Sequence, residues 1–423
     1  MPPRSPSFGN QEKNSMSTDT IAKPGCPVHA GRDDRKTAAS IDAGIPTFPG
    51  SRVTNSFRFA REILRSPEMR QAASSADSIV FDKPEEVSFF FLHGDLHKRR
   101  RASVAGYFAP KAIITRYNPL MHATMDRVIA EFQAKGSAVL DEMSLELASD
   151  VTMEIVGLTN SDPRALTQRI KTMMQAHNSF DKRPLYRFVH DKLFGWLHKL
   201  VRTRRSLELY KNDILPAIEA RRNNPGDDVM SYMVQNNYSM RGMMVEIMTY
   251  AGAGVSTTRE FMVMAAWQLC DHPELKERFL NATEEEQFAI IEEILRLDPI
   301  AGYLYRKPVS DISDTVEGPI DKGQLLAVSI RGVNSDESIV GECPYQLDPD
   351  RAKRQKIAGS YMSFGDGPHR CPGSQVALHE TRIFLDRLLR VPGFKLQKPP
   401  TIGWSLSTQG YELRDATVTC DRI

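Results

Sequence analysis

The chain has 423 residues, 41% of them hydrophobic, enough to bury a substantial core in one large domain or two ordinary ones. Its 55 Lys and Arg stand against 53 Asp and Glu, and a net charge of +2 gives no global field that would favour nucleic acid, so a partner must be recognised by a local cluster. The five cysteines, at 26, 270, 343, 371 and 420, make no CxxC pair; that scatter is poor for a disulfide framework or a zinc site and suits a reducing, cytoplasmic setting.

Residues 1–40 are rich in Pro, Ser, Gly and charge, without an apolar run long enough for a signal peptide or a membrane span, and read as a flexible leader to a domain over 41–423. Helical periodicity then runs around 57–65, 97–107, 119–134, 142–157, 163–177, 184–222, 240–271, 284–297 and 373–390. "NNPGDD" at 223–228 reads as a turn before the longest helix. Strand-like pieces are short and late: "YLYRKPVS", "TVEGPI", "QLLAVSI" and "VTCDRI". With no repeat and no linker, the expectation is a single domain, mainly α with small β-sheets.

The stretch "MSFGDGPHRCPGSQVALHE" at 362–380 carries Gly365, Gly367 and Gly373 with Pro368 and Pro372, more special backbone than one tight turn requires. Pro372 suits the first position of the periodic run that follows, which makes Cys371 the cap of a helix. The dipole there favours a thiolate, a metal ligand or a nucleophile, while an inert buried thiol is the commoner fate of a lone cysteine.

"FGDGPHRCPG" resembles the haem-binding loop of the cytochromes P-450, F-G-x-G-x-H/R-x-C-x-G, at every fixed position. The resemblance implies a single-domain P-450 fold, with haem b (iron protoporphyrin IX) between an oxygen-activation helix and the cysteine-loop helix. It makes Cys371 the thiolate on iron, sets Phe364 beside the macrocycle and brings His369 to a haem propionate. "EEILRLDP" resembles the family's E-x-x-R helix, with Glu293 and Arg296 on one face and Arg351 of "YQLDPDR" as the third member. "HGDLHKRRR" resembles the propionate-binding H-x-x-x-R helix through His97 and Arg101, and Arg306 matches the arginine on the following strand.

Within 240–271, Gly252 and Gly254 each cost roughly 1 kcal/mol relative to alanine in a helix interior. Thr249, Ala253 and Thr257 fall on one face, so that face is small where a flat group and a diatomic need room. "AGVSTT" resembles the oxygen-activation motif A/G-G-x-D/E-T-T: Ala253 and Gly254 border the haem, and Thr257 is the motif's threonine. Ser256 stands where the family usually has an acid; a serine relays a proton without supplying one. Substrate walls, by the same resemblance, are Phe90 in "SFFFLH", Met248 and Thr249, Gly302 and Tyr303 in "IAGYLY", and Thr408 in "SLSTQG". Three successive phenylalanines in an extended chain do not all face one cavity.

The family's activity is the insertion of one atom of O2 into a hydrophobic small molecule by hydroxylation, epoxidation or O-dealkylation. Electrons come from NAD(P)H through a ferredoxin or flavodoxin and its reductase, with Arg99, Arg100, Lys353, Arg354 and Arg370 suited to an acidic donor. Neither nucleic acid nor a membrane span is expected, and the chain is expected to be a monomer. Ser256 keeps open peroxide use or a redox-neutral conversion, and a non-catalytic haem carrier is the third reading.

Overall fold

The computed structural model describes residues 47–72, 87–175, 200–201, 203–405 and 409–423. The expected leader, 1–40, and Thr408 lie outside the described residues.

Strand β1 (Arg52–Thr54) leads into helix α1 (Phe57–Arg65), which starts where the Ser56 hydroxyl accepts the Phe59 N–H and which buries Phe57, Ala60, Ile63 and Leu64. There follow β2 (Met69–Gln71), a 3₁₀ turn over Phe89–Phe91, α2 (Gly94–Val104), a second 3₁₀ turn over Ala105–Phe108, α3 (Asn118–Lys135), β3 (Ser137–Val139) and α4 (Leu140–Val156). Next come α5 (Pro163–Gln175), α6 (Leu215–Asn223), α7 (Val229–Gln235), α8 (Met240–Tyr250), α9 (Thr257–Asp271), α10 (Pro273–Asn281) and α11 (Glu284–Leu297). The C-terminal part holds β4 (Tyr303–Pro308), β5 (Leu326–Ser329), α12 (Ser374–Leu389), β6 (Lys395–Lys398), β7 (Thr401–Ser405), β8 (Gly410–Arg414) and β9 (Thr417–Thr419).

Helices α3, α4, α9 and α12 pack on one another, with α11 against α12, and enclose the main apolar core. Helix α4 is buried on most of its circumference, leaving only the stripe Glu142, Glu146, Asp150 and Glu154 partly exposed, as befits a central element. One sheet has the order β1-β5-β4-β2, with β1 parallel to β5 and the other pairs antiparallel. It shares a second apolar cluster with α1 through Phe57, Ile63, Leu326 and Val328. The other sheets are β3-β9-β6 and the hairpin β7-β8.

The mainly helical single domain expected from the sequence is what forms, with differences in detail. "NNPGDD" is followed by α7, capped by the Asp228 carboxylate on the Ser231 N–H, before α8 begins. "TVEGPI" is a turn closed by a single bridge between Ile312 and Ile320, and of the last piece only Val418 and Thr419 belong to a strand. Phe89–Phe91 is a 3₁₀ turn rather than an extended run, which buries Phe89 and leaves Phe90 and Phe91 half-buried. Cys343 is disulfide-bonded, although the scatter of the cysteines is poor for a disulfide framework, whereas Cys270, Cys371 and Cys420 are free. Among the described residues no helix is long and apolar enough to cross a membrane.

Candidate active site

The cysteine loop is held at its base by the Cys371 N–H, which donates to the Phe364 carbonyl at 2.9 Å. Gly365 and Gly367 have φ of +69° and +66°, the left-handed region in which only glycine is unstrained. At Gly367 the close neighbour is α1: a Cβ there would lie 2.4 Å from the Leu64 carbonyl oxygen, so this glycine serves backbone packing, not a flat ligand. Asp366 locks the same contact by accepting from Arg65 Nε at 2.9 Å and from the Gly367 N–H at 2.7 Å.

Helix α12 starts at Ser374 with Gly373 at its cap, so Cys371 precedes the helix and Pro372 is not its first residue, contrary to the expectation. The dipole therefore acts on the sulfur through a single donor, the Gly373 N–H. Burial pushes the Cys371 thiol up, and that N–H together with the charges of Arg101 and Arg370 opposes the rise. The expected lowering of the thiol does not arise from the chain alone.

Facing the loop is a concentration of basic side chains, arginines and imidazoles. His97 and Arg101 come from α2, Arg306 from β4 and His369 from the loop, joined by His93 at the start of α2. The His97 and His369 rings lie 4.2 Å apart and those of His93 and His369 5.5 Å apart. Gln71 Nε2 meets His369 Nδ1 at 2.6 Å, and Arg101 Nη2 donates to the Arg370 carbonyl at 2.6 Å. Burial, reinforced by His97, Arg306, His93 and Arg101, brings His369 down to about 2. Burial with Arg70, Arg306 and His97 brings His93 to about 4, and burial alone brings Arg306 to about 10. Among the described residues no carboxylate pairs with any of these groups, and the buried His97 Nε2 has no hydrogen-bond partner. A cluster of this kind fits a ligand with two buried carboxylates. No group of three or more His, Cys, Asp or Glu among the described residues could hold a metal by itself, so a metal on Cys371 must bring its remaining ligands with it. A metalloporphyrin with two carboxylates meets both demands.

The oxygen-side helix is α8 and α9 joined by a π-helical turn, Ala251–Ser256, a distortion that regular helix geometry does not favour and that accommodates the glycines. Thr249, Ala253 and Thr257 retain accessible surface while Ile247, Tyr250, Ala251 and Val255 are buried, so the small face is the one left open. The Thr257 hydroxyl donates to the Ala253 carbonyl at 2.6 Å, and Ser256 is buried. At Gly254 a Cβ would lie 2.6 Å from the Thr152 hydroxyl of α4, a close helix contact, whereas Gly252 has nothing within 4 Å.

The E-x-x-R group forms as a buried carboxylate between two guanidiniums. Glu293 accepts from Arg296 Nε at 2.7 Å, from Arg296 Nη2 at 2.8 Å and from Arg351 Nε at 3.3 Å. Asn334, which no sequence signal singled out, ties this group to the cysteine loop. Its side chain donates to the Arg296 carbonyl at 3.2 Å and to the Ser363 hydroxyl at 2.8 Å, and accepts the Met362 N–H at 2.9 Å.

Of the expected substrate walls, Phe90 lies 6.1 Å from the Tyr250 ring of α8, and Met248 packs on the main core while half-buried. Gly302 is crowded by Trp404 of β7, whose ring a Cβ would meet at 2.2 Å, and Trp404 lies 6.4 Å from Tyr303. The place of Trp404 in this wall was not legible because Gly302 and Tyr303 lie about a hundred residues away in sequence. Arg100, expected on a basic surface, is buried.

The residue pattern and the fold agree with what known proteins share with this chain. The family profile described as Cytochrome P450 matches residues 288–406, from within α11 to the hairpin. Cytochrome P450-SOY of Streptomyces griseus is 24% identical over 89% of this chain and 88% of its own length. Abscisic acid 8'-hydroxylase 3 of Oryza sativa is 25% identical over 71% of this chain, and the chain spans only 64% of that relative's length. The crystal structure of the cytochrome P450 enzyme CYP109B1 from Bacillus subtilis superposes with a TM-score of 0.68, at 21% identity, over 91% of this chain and 98% of that one. Residues 288–406 thus match the Cytochrome P450 profile, and the chain has the cytochrome P450 fold.

Proposed function

We propose that the chain is a haem-thiolate monooxygenase acting on a hydrophobic small molecule. The observation that carries this reading is the free Cys371 in its glycine loop, faced by arginine and histidine side chains that have no acidic partner among the described residues. Haem, when bound, supplies an iron centre at which O2 is reduced and one oxygen atom is delivered to substrate. Cys371 holds the iron, and Phe364 lies beside the ring. His97, Arg101, Arg306 and His369 neutralise the two carboxylates, whose burial would otherwise be costly. Glu293, Arg296 and Arg351 hold the chain that leads into the loop.

Thr257 on the open face and the buried Ser256 beside it are the hydroxyls available for passing protons, with Ala253 and Gly254 keeping the helix close to the ring. Phe90, Met248, Thr249, Gly302 and Tyr303 form the substrate walls, and the aromatic share of that set suits an apolar guest. Electrons reach the site from NAD(P)H through a ferredoxin or flavodoxin; Arg99 and Lys353, both exposed, remain available to an acidic donor. A second reading follows from Ser256, which is buried and carries no ionisable reservoir: peroxide use or a redox-neutral conversion. Product formed with peroxide but none with O2 and a competent reductase would favour it.

The test of the main reading is the Cys371→Ser variant. The wild-type protein reconstituted with haem should give the thiolate signature in its ferrous carbon monoxide spectrum, and the variant should lose it. Retention of that signature by the variant would remove Cys371 as the ligand.

A further inference from the structure

Helix α2 carries two of the residues that face the haem carboxylates, yet it has almost no apolar means of holding itself to the body of the protein. Its sequence is GDLHKRRRASV, and its buried residues are His97, Arg100 and Val104. Two of the three are potential cations, so an ordinary hydrophobic stripe does not fix the rotation of this helix about its axis. His97 belongs to the site. Arg100 does not, and its surroundings are specialised.

The Arg100 guanidinium is caged by two aromatic rings, 4.9 Å from the centroid of Tyr232 and 5.1 Å from that of Tyr238. Its Nη2 lies 3.6 Å from Glu246 Oε1 on α8, and the two side chains are 5% and 0% exposed. Glu246 is also faced by the Ser88 hydroxyl. Among the described residues, none of the guanidinium nitrogens, the Glu246 oxygens, the Ser88 hydroxyl or the Tyr250 hydroxyl has a hydrogen bond of good geometry. Each of these groups is stripped of water, and the guanidinium and the carboxylate compensate one another mainly by charge. A buried pair of this kind adds little net stability over an apolar pair, while removal of one member alone is strongly unfavourable. Such a pair is selective for one geometry rather than strongly stabilising.

We propose that Arg100 and Glu246 form a positioning pair that fixes the rotation of α2 against α8 and thereby aims His97 and Arg101 at the haem carboxylates. Arg101 follows Arg100 directly and His97 precedes it by three residues, so a rotation that releases Arg100 from Glu246 swings both site residues together. Glu246 lies on α8, three residues before Thr249, so the pair joins the carboxylate-binding helix to the helix whose open face borders the site. Arg100 and Glu246 are positioning residues: neither is argued to touch the cofactor. This inference rests on the haem reading of the site.

The test measures the rate at which the haem-loaded protein gives up haem to an excess of apomyoglobin. Glu246→Gln is compared in two backgrounds, the wild-type chain and the H97Q/R101Q chain. By analogy with outer partners that orient ligands, Glu246→Gln should speed haem loss about ten-fold in the wild-type background. If it acts through His97 and Arg101, the acceleration should shrink to less than about two-fold in the background that lacks them. Equal acceleration in both backgrounds would mean that the pair only supports the fold, and no acceleration in the wild-type background would mean that it does not act on the site; either overturns the proposal. Should Glu246→Gln fail to give folded protein, the R100M/E246M variant, which leaves no uncompensated buried charge, is carried through the same two-background comparison with the same outcomes. A wild-type chain that takes up no haem sinks the functional reading and this inference with it. A haem-loaded wild type whose variant releases haem at the wild-type rate sinks the inference alone.

Discussion

Pro372 directly follows the sulfur and has no N–H, so the backbone donor that reaches Cys371 is the Gly373 N–H one residue further on. A leucine at 372 would offer a second. A hydrogen bond to a charged group is worth about 1.5–3 kcal/mol, and only its difference between ferric and ferrous states moves the potential. Because 59 mV corresponds to about 1.4 kcal/mol for one electron, Pro372→Leu should raise the reduction potential of the haem-loaded protein by some tens of millivolts in a spectroelectrochemical titration. A potential that falls or stays put would leave Pro372 as a residue of the turn before α12 and nothing more. At this scale the site was largely legible, since Glu293, Arg296, His97, Arg101 and Cys371 sit in short motifs whose spacing is set by one helix or one loop. Asn334, Gln71 and Trp404 were not. Their partners lie tens to hundreds of residues away, and an asparagine or glutamine that bonds distant backbone has no local periodicity to give it away. Arg100 was misread for a related reason: within "HKRRR" the buried and the solvated cations differ only in the face of α2 they occupy.

Among the elements, the joint between α8 and α9 separates two explanations for a glycine in a helix. Gly254→Ala would set a methyl group 2.6 Å from the Thr152 hydroxyl and 3.2 Å from its methyl, so one of the two helices must move. Overpacking of this kind costs typically about 1–3 kcal/mol, and the urea midpoint of Gly254→Ala should fall accordingly. Thr152→Ala in the same chain should restore most of the loss. Gly252→Ala, with open space at its Cβ, should be neutral or stabilising by up to about 1 kcal/mol, because it restricts the unfolded chain. A Gly254→Ala midpoint equal to the wild type would contradict the close contact between α4 and the π-helical turn. The sequence indicated a long apolar helix here with an interruption, but not that the interruption is a π turn, since one extra residue per turn leaves no compositional mark. The short strands β1, β2 and β3 were missed because three residues are too few for alternation to register. Helix α7 was missed for the opposite reason, that its seven residues stand between two turns and before a much longer periodic run.

Across the whole molecule, a net charge of only +2 conceals an uneven distribution, with His93, His97, His369, Arg101 and Arg306 drawn together inside the fold. His93 is the most useful reporter of this field. Burial comes first, and Arg70, Arg306 and His97 add to it, so that its protonation falls from 6.5 in the unfolded chain to about 4 in the folded one. Between those limits the unfolded chain carries a proton at His93 that the folded chain rejects, so folding stability contributed by this residue is lost as pH falls below about 6.5 and levels off near 4. The loss is at most about 1.4 kcal/mol per pH unit for one proton. Urea midpoints of the haem-free protein between pH 4.5 and 7.5 should therefore decline toward acid more steeply in the wild type than in His93→Gln. The difference between the two cancels other titrating groups, including Glu260, whose burial raises its carboxyl to about 8 and acts with the opposite sign. Loading with haem brings two carboxylates to the cluster, which favour the protonated imidazoles, so the same pair of proteins should diverge less with pH once loaded. Parallel midpoints for the haem-free wild type and His93→Gln would contradict the charge imbalance, and divergence that is unchanged by haem would mean that the carboxylates lie elsewhere.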